Sequence, residues 1–236
     1  MSEDFVVRHA AARVGSGLRA PARVNQAGEL VEMPLLWDLA LQGRVFVGGH
    51  GIEETATDSE STLQDQTPMF ALFADTGGSS VVFPLSIQVR LHADGGAASE
   101  LYAAYVQSDV MDAGTGTSMD ILNCLGGVNP RVPNAKLEKS LASVTAFGDN
   151  ANVMFMRRAD ILDEILAAEM ITRDAQVEMP GRNTLEYVWT PPSPYALYKG
   201  SSIAVFAKTA STDSTWSATF FWAELDASVY LPDGRA

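Results

Sequence analysis

The chain has one cysteine, Cys124, and three histidines, His9, His50 and His92. A single thiol excludes an internal disulfide framework and a cysteine-rich zinc site. Cys124 sits in the apolar run Ile121-Leu122-Asn123-Cys124-Leu125, where a buried, inert thiol is expected. No histidine has a second one two to five positions on, so the close pairing used by metal-binding barrels is missing and no metal site is expected. Basic residues are also scarce: 16 Lys and Arg against 29 Asp and Glu give a net charge of -13. Phosphate contacts need clustered Lys and Arg, so the body of the protein is not expected to bind nucleic acid. No apolar stretch reaches 18 residues, and the early run Phe5 to Val7 is too short for the core of a signal peptide. The chain is therefore expected to be made and used without crossing a membrane, and no membrane partner is expected.

Catalytic motifs are missing too. There is no Gly-x-Ser-x-Gly elbow, and Lys199-Gly200-Ser201 reverses the order that a phosphate loop requires. Gly114-Thr115-Gly116 lacks the strand-turn-helix setting of a dinucleotide site. The acidic loop Ile52 to Asp65 lacks the alternating carboxylates and central glycine of a calcium loop and reads as solvated. Among many accidental carboxylate pairs, Glu224 stands out because it lies beside Trp222 in an aromatic run; a place on the rim of a subunit contact explains it equally well. Trp189, Tyr195, Tyr198 and Trp216 offer sugar-stacking rings on one reading and corner packing beside proline-rich turns on the other, and packing is the expectation. The chain is thus expected to be no enzyme, with no catalytic residue, cofactor or metal.

What remains is rich in strands. Hydrophobic residues make up 47% of the 236 positions, enough for a sizeable core. Strand-like runs recur at Arg44 to Val47, Met69 to Ala74, Phe83 to His92, Leu101 to Gln107, Ser140 to Phe147, Asn152 to Arg157 and Leu185 to Trp189. Phe83 to His92 alternates most cleanly, with Leu85, Ile87, Val89 and Leu91 on one face. Leu35 to Leu41 is an apolar segment of helical or strand character that stops at Gln42-Gly43. Asp109 to Val128 is glycine-rich and weakly patterned. One convincing helix begins at the N-cap Asp160 and carries its apolar stripe to Met170. With no repeating βαβ spacing, the pattern predicts an all-β protein: a jelly-roll-type β-sandwich over residues 35–236 with one short helix, preceded by an extended N-terminal arm over residues 1–34.

The stretch Ser201 to Tyr230 holds two further strand runs, Ile203 to Lys208 and Ser217 to Leu225, separated by a Ser/Thr-rich segment with the composition of a hairpin loop. In the second run Ala218, Phe220, Trp222 and Glu224 share one face, and Thr219, Phe221, Ala223 and Leu225 share the other. Both faces are largely apolar, and a sandwich core buries only one of them. The surplus face needs a helix, another layer or a second subunit, and Phe220 and Trp222 are the interface candidates.

The first part of the arm carries charge of the opposite sign to the body. Over Met1 to Gly28, Arg8, Arg13, Arg19 and Arg23 against Glu3 and Asp4 give +2 and leave -15 for the rest, so this part of the arm is suited to an acidic partner. The segment Gly17 to Val31, followed by an apolar segment and Gly43-Arg44-Val45-Phe46, resembles the opening of tailed-bacteriophage virion structural proteins. The ending, Pro194, Lys199 to Phe206 and Phe221-Trp222-Ala223-Glu224, is similar to theirs as well. The resemblance implies a jelly-roll protein of the virion, a cement or decoration protein assembled in the host cytoplasm and placed on the capsid surface. Its partners would be the major capsid protein and further copies of itself, as a trimer. The alternative is a carbohydrate- or receptor-binding module of a tail or head fibre.

Overall fold

The structure is a computed structural model that describes residues 6–7, 20–21, 35–49, 57–58, 68–93, 99–107, 111, 113–127, 130–141, 151–159, 186–192, 195–209 and 215–231. In chain order these form β1 (Val6–Val7), β2 (Ala20–Pro21), helix α1 (Leu35–Leu41), β3 (Val45–Gly49), β4 (Thr57–Asp58), β5 (Phe70–Phe73), β6 (Ser80–Ala93) and β7 (Ser99–Val106). There follow β8 (Thr117–Ser118), β9 (Asp120–Asn123), β10 (Lys136–Lys139), β11 (Ala151–Ala159), β12 (Glu186–Trp189), β13 (Ser202–Thr209), β14 (Thr215–Asp226) and a terminal helical turn, α2 (Ala227–Tyr230). The expected helix from Asp160 and the arm residues Arg8, Arg13, Arg19 and Arg23 lie outside the described residues, as does most of the run Ser140 to Phe147. Within the arm, β1 and β2 pair with each other.

Two antiparallel sheets make the body an all-β sandwich. One is ordered β11-β7-β13-β5-β10-β8 and the other β12-β6-β14-β3-β9, with β4 added to β14. The pairing is nested: β3 with β14, β5 with β13, β6 with β12 and β7 with β11, successive pairs falling in alternate sheets. The chain therefore crosses between layers from β5 to β6, β6 to β7, β11 to β12, β12 to β13 and β13 to β14. The expected hairpin is a case in point: β13 pairs with β5 and β7, whereas β14 pairs with β3, β4 and β6, so the two strands lie in different sheets and do not pair as a hairpin. A Ser/Thr-rich loop provides a reversal; it does not dictate which sheet receives the next strand.

Side chains from both sheets fill the space between them: Phe70, Leu72, Leu101, Ile203 and Val205 from one, and Phe46, Val82, Ile87, Trp189, Trp216, Phe220 and Trp222 from the other. Phe220 and Trp222 are 0% exposed within a single chain, which removes them as subunit-interface residues. The parity of β14 is as its sequence indicates, but the larger aromatic set faces inward, where Trp222 packs against Phe46 with ring centroids 5.9 Å apart.

The register of β6 against β14 shifts twice, between Thr215 and Trp216 and again between Phe221 and Trp222, and the second shift re-aims side chains of β6. Phe221 pairs with Ser86 and Trp222 with Pro84, leaving Leu85 as an extra residue in a bulge. Pro84 has no N–H to give to a ladder, and a bulge is where a long inner strand tolerates it. The slip turns Leu85 away from Ile87 and Val89 and onto the outer face, where it joins Leu39, Val45, Phe83, Ala223 and Leu225.

Helix α1 lies on that outer face. It ends in a Schellman motif: Gly43 N–H donates to Ala40 O and Arg44 N–H to Leu39 O, each at 2.9 Å, with Gly43 at φ 67°, a conformation that glycine adopts without strain. The other sheet is buried on its outer face too, where Phe73, Tyr102, Ala104, Val106, Ala204 and Phe206 pack with Met111 and Leu141.

Candidate interaction surface

Helix α1 has the wrong composition for a solvent-facing helix. Of its seven residues, Leu39 is buried, whereas Leu35, Leu36, Trp37 and Leu41 are all exposed, Trp37 at 68%. Positions 37 and 41 are one turn apart, so Trp37 and Leu41 form an outward stripe. Beside the helix a row of apolar residues runs in register across three strands, from Phe221 on β14 through Val47 on β3 to Leu122 on β9. Phe221 and Val47 are half-buried, and Leu122, on the edge strand, is 68% exposed. The chain turns after β9 and brings Leu125 within 3.5 Å of the Cβ position of Gly43, at the end of α1. Asn123 holds this corner: its Nδ2 donates to Gly43 O at 2.9 Å and Arg131 O at 3.0 Å, while its Oδ1 accepts from Leu125 N–H. The helix, the row and the corner together expose several large apolar side chains, a feature that marks contact sites on protein surfaces.

Three carboxylates among the described residues hold the fold together. Glu224 is fully buried at one end of the intersheet core, and its carboxylate accepts three N–H donors: Asn134 N at 2.9 Å on Oε2, with Ala135 N at 3.0 Å and Trp222 Nε1 at 3.1 Å on Oε1. It latches the segment leading into β10 onto β14. Glu138, also buried, binds the amides of Gly114 and Gly116, so these N–H groups are held by an internal carboxylate rather than turned toward a ligand. Asp226 accepts hydrogen bonds from Arg44 and Arg131, and the Arg44 bond in particular holds its carboxyl below the ordinary aspartate range.

The rings weighed as a sugar platform are mostly inside. Trp216 and Trp189 belong to the core, and Trp189 packs against Tyr195 with centroids 6.1 Å apart, as corner packing requires. Cys124, by contrast, is exposed: it follows the edge strand β9 at a bend, where its apolar neighbours Leu122 and Leu125 themselves face outward. Among the described residues no group of three or more His, Cys, Asp or Glu is placed to hold a metal ion. The sequence reading missed Trp37, Leu41 and Leu122; the signal for the first two was the Leu35 to Leu41 run, in which Asp38 alone is polar. No protein-family model matches the chain, and no curated protein is significantly similar to it.

Proposed function

We propose that this chain is a non-enzymatic structural protein of a bacteriophage virion, a cement or decoration protein that attaches to the shell of major capsid protein. The observation that carries this reading is the division of labour between polar and apolar groups. The buried carboxylates Glu224 and Glu138 are spent on backbone and indole donors, while a tryptophan and several leucines face outward around α1. A protein built for chemistry keeps its polar groups facing a substrate; one built for assembly keeps apolar surface free.

The nested strand pairing supports a jelly-roll wrap. In that wrap a long antiparallel double ribbon folds over on itself, so that its pairs fall alternately in two sheets, an architecture used by capsid domains. Copies associate on the shell as a homo-oligomer, a trimer being the closed assembly that suits local three-fold positions. The arm adds a second attachment, in which Arg8, Arg13, Arg19 and Arg23 lie on an acidic shell or neighbour.

The test is co-sedimentation of the purified full chain with particles that lack it. Binding that saturates at a fixed ratio to the major capsid protein, and that weakens with salt when the arm is present, supports the reading, because exposed charges are screened beyond roughly 8 Å at physiological ionic strength. Failure of the full chain to sediment with particles would overturn it.

A further inference from the structure

We infer that the face formed by α1 and the β9 edge is where copies of this chain meet, with the α1 helices of neighbouring subunits packed around a shared symmetry axis. The inference names the contact for the oligomer in the proposed reading and rests on that reading only for the existence of an oligomer. Leu35, Leu36, Trp37, Leu41, Leu122 and Leu125 are between 38% and 68% exposed. At the size of leucine and tryptophan side chains this exposes on the order of 600 Å² of apolar surface, to which the half-buried Phe221 and Val47 and the polar rim add. A standard protein interface takes about 800 Å² from each partner, so the patch is of the size that a stable assembly of identical subunits needs.

Geometry favours a second copy as the occupant. Helix α1 packs on the outer face over β3, β6 and β14 and leaves Trp37 and Leu41 exposed, so identical helices brought to one axis cover one another's Trp37 and Leu41. The chain's net charge of -13 sets the sign of the salt effect: two acidic bodies repel, so an apolar contact between them strengthens as salt screens that repulsion. Attachment of the basic arm to an acidic partner responds to salt in the opposite direction.

The experiment uses the full chain in light scattering and acrylamide quenching of tryptophan fluorescence, with Leu41→Asp and Leu122→Asp as patch variants. Val188→Asp is the control, since Val188 is a 51% exposed residue on β12, the opposite edge of the same sheet. Wild type and Val188→Asp are expected to be oligomeric at micromolar concentration, and each patch variant to weaken association by roughly tenfold or more. Trp189, Trp216 and Trp222 are buried, so a gain in quenching in the patch variants reports Trp37 losing its cover. A monomeric wild type, patch variants that stay assembled, or a control as disruptive as they are would each overturn the inference. Self-association without particle binding would refute the virion reading and leave this contact standing; particle binding by a monomer would do the reverse.

Discussion

Replacing Glu224 by glutamine keeps the side chain's shape and changes only what it offers its three donors. In the native chain Oε1 takes Ala135 N–H and Trp222 Nε1–H, and Oε2 takes Asn134 N–H. Glutamine has one carbonyl oxygen. If that oxygen keeps the two-donor position, its NH₂ group faces Asn134 N–H, donor against donor; the opposite flip loses two bonds instead of one. A hydrogen bond to a charged acceptor contributes about 1.5–3 kcal/mol, and although Asn134 is itself exposed, the side chain at position 224 is fully buried, so the glutamine NH₂ group would be left without an acceptor: the expected cost is about 2–3 kcal/mol. For a chain of this size 1 kcal/mol shifts the melting temperature by about 2–4 °C, which places Glu224→Gln roughly 5–10 °C below wild type. Glu224→Ala strands all three donors and opens a cavity, so it should cost more. Thermal melts followed by circular dichroism measure the global effect, and hydrogen exchange at Asn134 and Ala135 measures the local one. A glutamine variant melting within about 1 °C of wild type, with both amides still protected, would falsify the assignment of Glu224 as the latch between β14 and the strand-10 segment.

Three further outcomes follow from particular contacts. The folded-state pKa of Asp226 is lowered, so its pairing with Arg44 and Arg131 stabilises the fold above the ordinary aspartate range and is lost as pH falls through the depressed value; Asp226→Asn should flatten the acid limb of stability against pH, and an unchanged limb would refute this. The effect should be small, because the aspartate side chain is 37% exposed and solvent screens it. An added Cβ at Gly49 would lie 2.6 Å from the carbonyl oxygen of Ala218, whereas at Gly126 it meets nothing within 4 Å; Gly49→Ala should cost about 1–3 kcal/mol in denaturant titrations and Gly126→Ala little, and equal effects would contradict the strand packing. Cys124 should react with a thiol reagent without denaturant, more slowly at neutral pH than a free thiol because partial burial raises its pKa; reaction only after unfolding would contradict its exposed placement.

Strand identity was legible where β-branched and aromatic residues run together, as in β5, β7, β13 and β14. The all-β sandwich followed from these runs and from the missing βαβ spacing. The short strands β8, β9 and β10 were not legible, since two to four residues among glycines and prolines carry too little periodicity. Layer assignment was hidden as well. The alternation of β14 separates Phe220 and Trp222 from Phe221 and Leu225, yet which set faces inward depends on what packs above and below. The outward turn of Leu85 needed the bulge at Pro84, a feature of pairing with β14 rather than of β6 alone. Glu224 was singled out for its aromatic neighbour Trp222, which is one of its three donors, but the other two lie 89 and 90 positions away, a distance over which local sequence carries no signal. The exposed face of α1 was written in the Leu35 to Leu41 run, where Asp38 alone is polar and leaves open which of the apolar sides is covered.

Copy number in purified particles tests the proposed role most directly. If the proposed role holds, quantitative mass spectrometry of purified phage particles should find hundreds of copies, in a fixed ratio to the major capsid protein, as expected for a cement or decoration protein spread over the shell. A few copies per particle would assign the chain to a tail or fibre, and its absence from particles would contradict a structural role in the virion altogether.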